Sequence, residues 1–115
     1  MFSGFSHVMM WTSDFDRALK WYTEMLGCSV LFSAPPHYAA LRLDSAGVNI
    51  ALHPSETDGK DVGHGPMPYF KTDNIEETLK ALEAKGVKVG KIQQEGPTKF
   101  ASFWDSEGNA LGVQQ

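Results

Sequence analysis

Apolar positions along the chain change period in an orderly way. Phe5 to Thr12 is mainly apolar and aromatic and is flanked by a turn signal, which predicts a strand. Ser13-Asp14-Phe15-Asp16 then has the form of a helix start, with Ser13 as cap and an acid three residues later. Phe15, Ala18, Leu19, Tyr22 and Leu26 follow at helical spacing and form one stripe, which Gly27 closes. Cys28 to Ser33 reads as a short strand that ends at Ala34-Pro35-Pro36-His37, because proline cannot donate to a ladder. Tyr38 to Leu43 and Val48 to His53 alternate with period two and form a hairpin. Pro54 to Pro66, rich in Gly, Pro and charge, reads as a linker.

The same order then recurs. Met67 to Thr72 is predicted as a strand, and Asp73-Asn74-Ile75-Glu76 opens a second helix. Its stripe is Ile75, Leu79 and Leu82, and Gly86 ends it. Val87 to Gln94 is a strand, and Lys99 to Trp104 with Asn109 to Gln114 is a second hairpin. The turn residues Asp44, Ser45 and Gly47 recur as Asp105, Ser106 and Gly108, an offset of 61 residues (105 − 44). Asp14, Glu24, Gly27 and Val30 meet Asp73, Glu83, Gly86 and Val89 at an offset of 59 (73 − 14). Two copies of one strand-helix-three-strand unit are the simplest account. The predicted organisation is a single domain over 1–115, with module 1 about 1–55, a linker about 54–66 and module 2 about 67–115.

Composition narrows the function classes. With 42% hydrophobic and 21% charged residues the chain has an ordinary globular balance. A net charge of −4 argues against nucleic acid as partner, since phosphate binding wants a basic face. Cys28 stands alone, which excludes an internal disulfide or a multi-thiolate metal site and fits a reducing, cytoplasmic setting. No apolar run approaches the ~18 residues of a membrane span, and no secretory signal is expected. Cys28 itself reads as a small strand hydrophobe, and the charged residues of the second helix as its solvated face.

The motifs His7-Val8-Met9-Met10-Trp11-Thr12-Ser13-Asp14, with Ala18, Trp21, Tyr22 and Leu26-Gly27, resemble the vicinal oxygen chelate superfamily. So do Tyr69-Phe70-Lys71-Thr72-Asp73 and Phe103-Trp104-Asp105-Ser106-Glu107-Gly108-Asn109-Ala110-Leu111. The group includes glyoxalase I, bleomycin-resistance and fosfomycin-resistance proteins and extradiol dioxygenases, and the resemblance covers essentially the whole chain. It implies an α+β fold: two tandem βαβββ modules form an incompletely closed, curled mixed sheet with helices on the outer face. It also implies a site inside the curl and a homodimer. Metal-using members draw their ligands from positions that fall here on His7, Ala51, Met67 and Gly112. Only His7 keeps a ligand side chain, and three or four converging donors are needed. No metal and no other cofactor is therefore expected, and His7 is read as a wall residue.

Hairpin register sorts the strand residues between two faces. A four-residue loop in each hairpin sets Leu43 opposite Val48 and Trp104 opposite Asn109. Leu41, Leu43, Val48, Ile50 and Leu52 then face a helix, and Tyr38, Ala40, Arg42, Asn49, Ala51 and His53 face the curl. In the second module, Lys99, Ala101, Phe103, Ala110, Gly112 and Gln114 are placed on the inner face. His7, Met9 and Trp11 share that face, as do Met67, Tyr69 and Lys71. Small residues leave room, aromatics offer stacking, and Arg42, His53, Lys71 and Lys99 make the space cationic. The expected ligand-binding set is His7, Met9, Trp11, Tyr38, Arg42, Asn49, His53, Met67, Tyr69, Phe103 and Gln114, with no catalytic residues. The expected function is binding of a planar or anionic small molecule, as in bleomycin-resistance proteins. The alternatives are a metal-dependent lyase, isomerase or dioxygenase with atypical ligands, and a structural dimer whose cavity is plugged by its own side chains.

Overall fold

The computed structural model describes residues 1–115. The elements run β1 (Val8–Thr12), α1 (Phe15–Met25), β2 (Ser29–Ala34), β3 (Tyr38–Leu43), β4 (Val48–Pro54), β5 (Tyr69–Lys71), α2 (Ile75–Ala84), β6 (Lys88–Val89), β7 (Gln93–Glu95), β8 (Thr98–Trp104) and β9 (Ala110–Gln114). One mixed sheet has the order β1-β4-β3-β2 and the other β5-β9-β8-β6, with β7 also paired to β8. In each, a first strand lies parallel to the last and the other pairings are antiparallel. The two sheets do not close into a barrel. The fold is α+β, with two βαβββ units in sequence.

Both helices start where the sequence places them, through slightly different atoms. The N-cap of α1 is Asp14 rather than Ser13: the Asp14 carboxylate accepts from the Arg17 N–H at 3.1 Å. Asn74 plays the same part for α2, accepting from the Glu77 N–H at 3.0 Å. Gly27 (φ +75°) and Gly86 (φ +91°) leave the helices in the left-handed conformation. Phe15, Ala18 and Tyr22 of α1 and Ile75, Leu79 and Leu82 of α2 are buried. They join Met10, Ala39, Leu41, Ile50, Leu52, Leu111 and Val113 in one hydrophobic cluster that spans both halves. Fully burying a side chain such as Ile75 stabilises by about 1.5–3 kcal/mol, so these faces account for how the helices are held to the sheets.

Several elements are shorter than the apolar runs suggest. Phe5 to His7 precede β1 without pairing, and Met67 and Pro68 precede β5. The run Val87 to Gln94 is divided into β6 and β7, with the Gly90 N–H donating to the Ser102 carbonyl at 2.7 Å between them. Strand β2 carries a bulge between Val30 and Phe32. It is an edge strand on which Val30, Leu31 and Phe32 are all about half-exposed.

Candidate functional site

The first hairpin has the predicted register. Leu43 opposes Val48, Leu41 opposes Ile50 and Ala39 opposes Leu52, all on the helix side. Ala40 opposes Ala51 and Arg42 opposes Asn49 on the other side, and Met9 and Trp11 of β1 align with Ala51 and His53. Trp11 and His53 meet edge to face, with ring centroids 5.3 Å apart. Arg42 is already engaged: its Nη1 donates to Asn49 Oδ1 at 3.0 Å and its Nε to Asp44 at 3.4 Å. His53 Nδ1 lies 2.8 Å from the Pro54 carbonyl oxygen. Met9, Trp11, Tyr38, Ala40, Arg42, Asn49, Ala51 and His53 thus share one sheet face.

The second hairpin is shifted by one residue. Trp104 opposes Ala110, so the loop holds five residues, Asp105 to Asn109, and the Asp105 N–H donates to the Asn109 carbonyl at 3.0 Å. Phe103 therefore lies with Leu111 and Ala101 with Val113 on the core side. Phe103 is only 3% exposed and is withdrawn from the candidate ligand set. The same shift takes Lys99 off the inner face, and its ammonium pairs with Glu76 of α2 at 3.1 Å. Their places beside Ala110, Gly112 and Gln114 are taken by Phe100, Ser102 and Trp104. Trp104 carries Lys88 over its ring at 4.8 Å.

Two cavities take up five of the remaining candidates, while Tyr38, Arg42, Asn49, His53 and Gln114 line neither. One, of about 360 Å³, is lined by His7, Met9 and Trp11, by Gly63, Gly65 and Pro66 of the linker and by Ala110. The other, of about 710 Å³, takes Met67 and Tyr69 into its wall. Gly112 does not leave open space. The Tyr69 ring lies across it so closely that an added Cβ would stand 2.5 Å from the ring carbons.

The positions that carry metal in other superfamily members do not fit a metal here. His7 Nδ1 sits 2.8 Å from Ser6 Oγ, Ala51 presents a buried methyl, Met67 a thioether, and Gly112 is covered by Tyr69. No three His, Cys, Asp or Glu side chains converge anywhere in the chain. Burial pushes the Cys28 thiol up to about 11, which keeps it protonated and unreactive near neutrality.

The residues around the second turn form a network that individual motifs did not reveal. Asp105, 7% exposed, accepts from Tyr22 Oη at 2.6 Å, from Asn109 Nδ2 at 2.9 Å and from the Glu107 and Asn109 N–H groups at 2.9 and 2.8 Å. Asn109 Nδ2 also donates to the Trp11 carbonyl at 2.9 Å, and its Oδ1 accepts from the Gly63 N–H at 2.7 Å. Burial first, and the Asp105 carboxylate next, push the Tyr22 hydroxyl well above its ordinary pKa. Glu107 reaches the start of α1, where it accepts from Ser13 Oγ and N–H at 2.9 Å, the Asp14 N–H at 2.6 Å and Arg17 Nε at 2.8 Å. Burial alone would raise its pKa. The Arg17 guanidinium, the Asp14 N–H and the Ser106 and Ser13 hydroxyls outweigh it and hold the carboxyl at about 2. This network fixes Trp11, the linker and β9 relative to one another, and so shapes the smaller cavity.

The sequence matches the Glyoxalase/Bleomycin resistance protein/Dioxygenase superfamily over residues 4–113, and the chain belongs to that family. Biphenyl-2,3-diol 1,2-dioxygenase 2 of Rhodococcus globerulus is 24% identical over 120 residues, which cover 96% of this chain and 61% of that protein. The chain thus spans about three fifths of the length of this curated relative. TnmS3, an antibiotic binding protein from Streptomyces sp. CB03234, has the same fold with a TM-score of 0.79 at 24% identity, over 99% of this chain and 98% of its own. FosX of Listeria monocytogenes, a fosfomycin resistance protein complexed with Mn(II), matches with a TM-score of 0.77 at 15% identity, over 98% and 90% of the two chains.

Proposed function

We propose that the protein binds a planar or anionic small molecule, in the manner of the bleomycin-resistance members and without the metal of the catalytic ones. The observation that carries this reading is the face shared by Met9, Trp11, Ala40, Arg42, Asn49, Ala51 and His53. It joins a fixed aromatic pair to two alanines and a guanidinium already held in place by Asn49. Pre-set aromatic walls with few convergent polar groups suit a flat ligand. The donor set at His7, Ala51, Met67 and Gly112 supports binding over metal-assisted lyase or dioxygenase chemistry. The likeness in fold to an antibiotic binding protein agrees with this reading.

A cytoplasmic homodimer is part of the proposal. The half-exposed Val30, Leu31 and Phe32 on the edge strand β2 are the surface such a dimer would cover. Sedimentation of the wild type against Leu31→Glu tests it, with a shift from dimer to monomer expected.

Ligand binding is tested by titrating planar anionic aromatic compounds, a bleomycin-type antibiotic among them, while following Trp11 emission with Trp21 and Trp104 replaced by Phe. Saturable quenching is expected; Trp11→Ala, which removes the fluorescent probe and is therefore titrated by calorimetry in the otherwise wild-type chain, weakens binding about tenfold, as loss of an aromatic contact should. Stoichiometric Zn, Ni, Mn or Fe in protein purified without chelator, with an activity that chelation abolishes, would overturn the reading.

A further inference from the structure

The larger cavity lies apart from that face. It follows the seam between the halves, where β1 and the tip of the first hairpin approach β5. Its chamber of about 710 Å³ is walled mainly by Phe5, Val8, Leu43, Val48, Tyr69 and Phe70. A side extension of about 210 Å³ shares Leu43, Ser45, Phe70 and Lys71 with the chamber and reaches Leu82 and Thr78 of α2. Ligand pockets of small molecules occupy roughly 300–1,000 Å³, so the chamber alone is large enough.

One charge faces this apolar groove. Lys71 is the only charged residue on the walls of either compartment. It is exposed and takes part in none of the chain's ion pairs, whereas Arg17, Arg42 and Lys99 each hold a carboxylate. Lys88 rests on Trp104. Lys20, Lys60, Lys80 and Lys91 are likewise in no ion pair, and what sets Lys71 apart is its place on the wall of an apolar groove. The groove's chemistry is therefore amphipathic: a long apolar wall with one cationic end. A polyanion is disfavoured by the chain's net charge of −4, and a neutral apolar molecule would use the wall but gain nothing from the ammonium. A lysine acts as a compact point charge, suited to a single carboxylate rather than to bidentate recognition.

We infer that the seam groove is a second binding site, for a monoanionic amphiphile whose carboxylate meets Lys71 and whose apolar body lies along Leu43, Val48 and Phe70. It stands independently of the ligand proposed for the Trp11 face. The test uses the full chain and dodecanoate at submicellar concentration, followed by calorimetry at 0.15 M salt. One saturable site per chain is expected. Lys71→Met should weaken it about two- to fivefold, within the range of an exposed charge pair. Ser45→Glu, an exposed substitution that leaves the core untouched, should weaken it at least as much by setting a carboxylate beside Lys71. Dodecyltrimethylammonium should bind more weakly than dodecanoate. In methyl NMR spectra, Leu43, Ala46 and Val48 should shift on binding.

The inference is overturned by binding that ignores both substitutions, by equal affinity for the cationic amphiphile, or by shifts confined to Ala40 and Ala51. Absence of saturable dodecanoate binding overturns it whatever the oligomeric state; if the chain also stays a dimer in Leu31→Glu, the groove is instead a contact between copies.

Discussion

Two turns that share Asp, Ser and Gly but differ at the third position, Ala46 against Glu107, behave differently. Asp44-Ser45-Ala46-Gly47 closes its hairpin by local hydrogen bonds, Ala46 N–H to Leu43 and Gly47 N–H to Asp44, each at 3.2 Å. The Asp44 side chain is 80% exposed and its one hydrogen-bond partner is Arg42, at 3.4 Å. Asp105-Ser106-Glu107-Gly108-Asn109 is one residue longer and directed inward. Its Asp and Asn are buried, and its Glu caps a helix in the other half. A shared motif can thus mark a repeat in both copies while only one copy holds the fold together. The difference comes from what the turn carries and what lies opposite: Ala46 and solvent in the first case, Glu107 with Tyr22 and the first turn of α1 in the second.

That contrast can be broken most sharply at Asp105. Asp105→Ala removes the acceptor of four hydrogen bonds and strands the buried Tyr22 hydroxyl, so urea denaturation should show a loss of about 3 kcal/mol or more. Glu107→Gln keeps the shape and removes the charge. Discounted for the exposed Arg17 partner, a loss of about 2 kcal/mol is expected by the same method.

The pH dependence of stability follows from the same carboxylate. Its folded pKa of about 2 lies below its ordinary value of 4.5, so its contribution is complete above pH ~4.5 and is lost as the pH falls towards 2. Stability measured from pH 6 to 2 should fall more steeply in the wild type than in Glu107→Gln. The smallest effect is expected at the first turn. Asp44→Ala should change stability by no more than about 0.5 kcal/mol, the usual range for an exposed substitution. A larger loss there would erase the distinction between the turns.

Much of the fold was legible because its signals were redundant. In the first hairpin, Leu41, Leu43, Val48, Ile50 and Leu52 fall on one face under a single register, and shifting it by one would bury Arg42. The second hairpin lacks that constraint. Phe100 to Trp104 and Ala110 to Val113 place aromatic or small residues on both faces, so alternation does not choose a register. The choice passes to the turn. There the echo of Asp44 to Gly47 suggested four residues, whereas the Asn109 carbonyl accepts the Asp105 N–H across five. Phe103 and Lys99 were misplaced for that reason alone. Gly112 was read as vacancy, because nothing in the sequence tells that the ring of Tyr69 rests on it.

The cap of α1 also has a meaning in time. Ser13 and Asp14 present their N–H groups to a carboxylate 94 and 93 residues further along. When the chain emerges in order from the ribosome, the first helix is made well before the turn that completes its start, 93 residues after Asp14. Until Glu107 arrives, that end of α1 must rely on water and on Asp14 alone. The finished helix is thus a record that synthesis has passed the second hairpin.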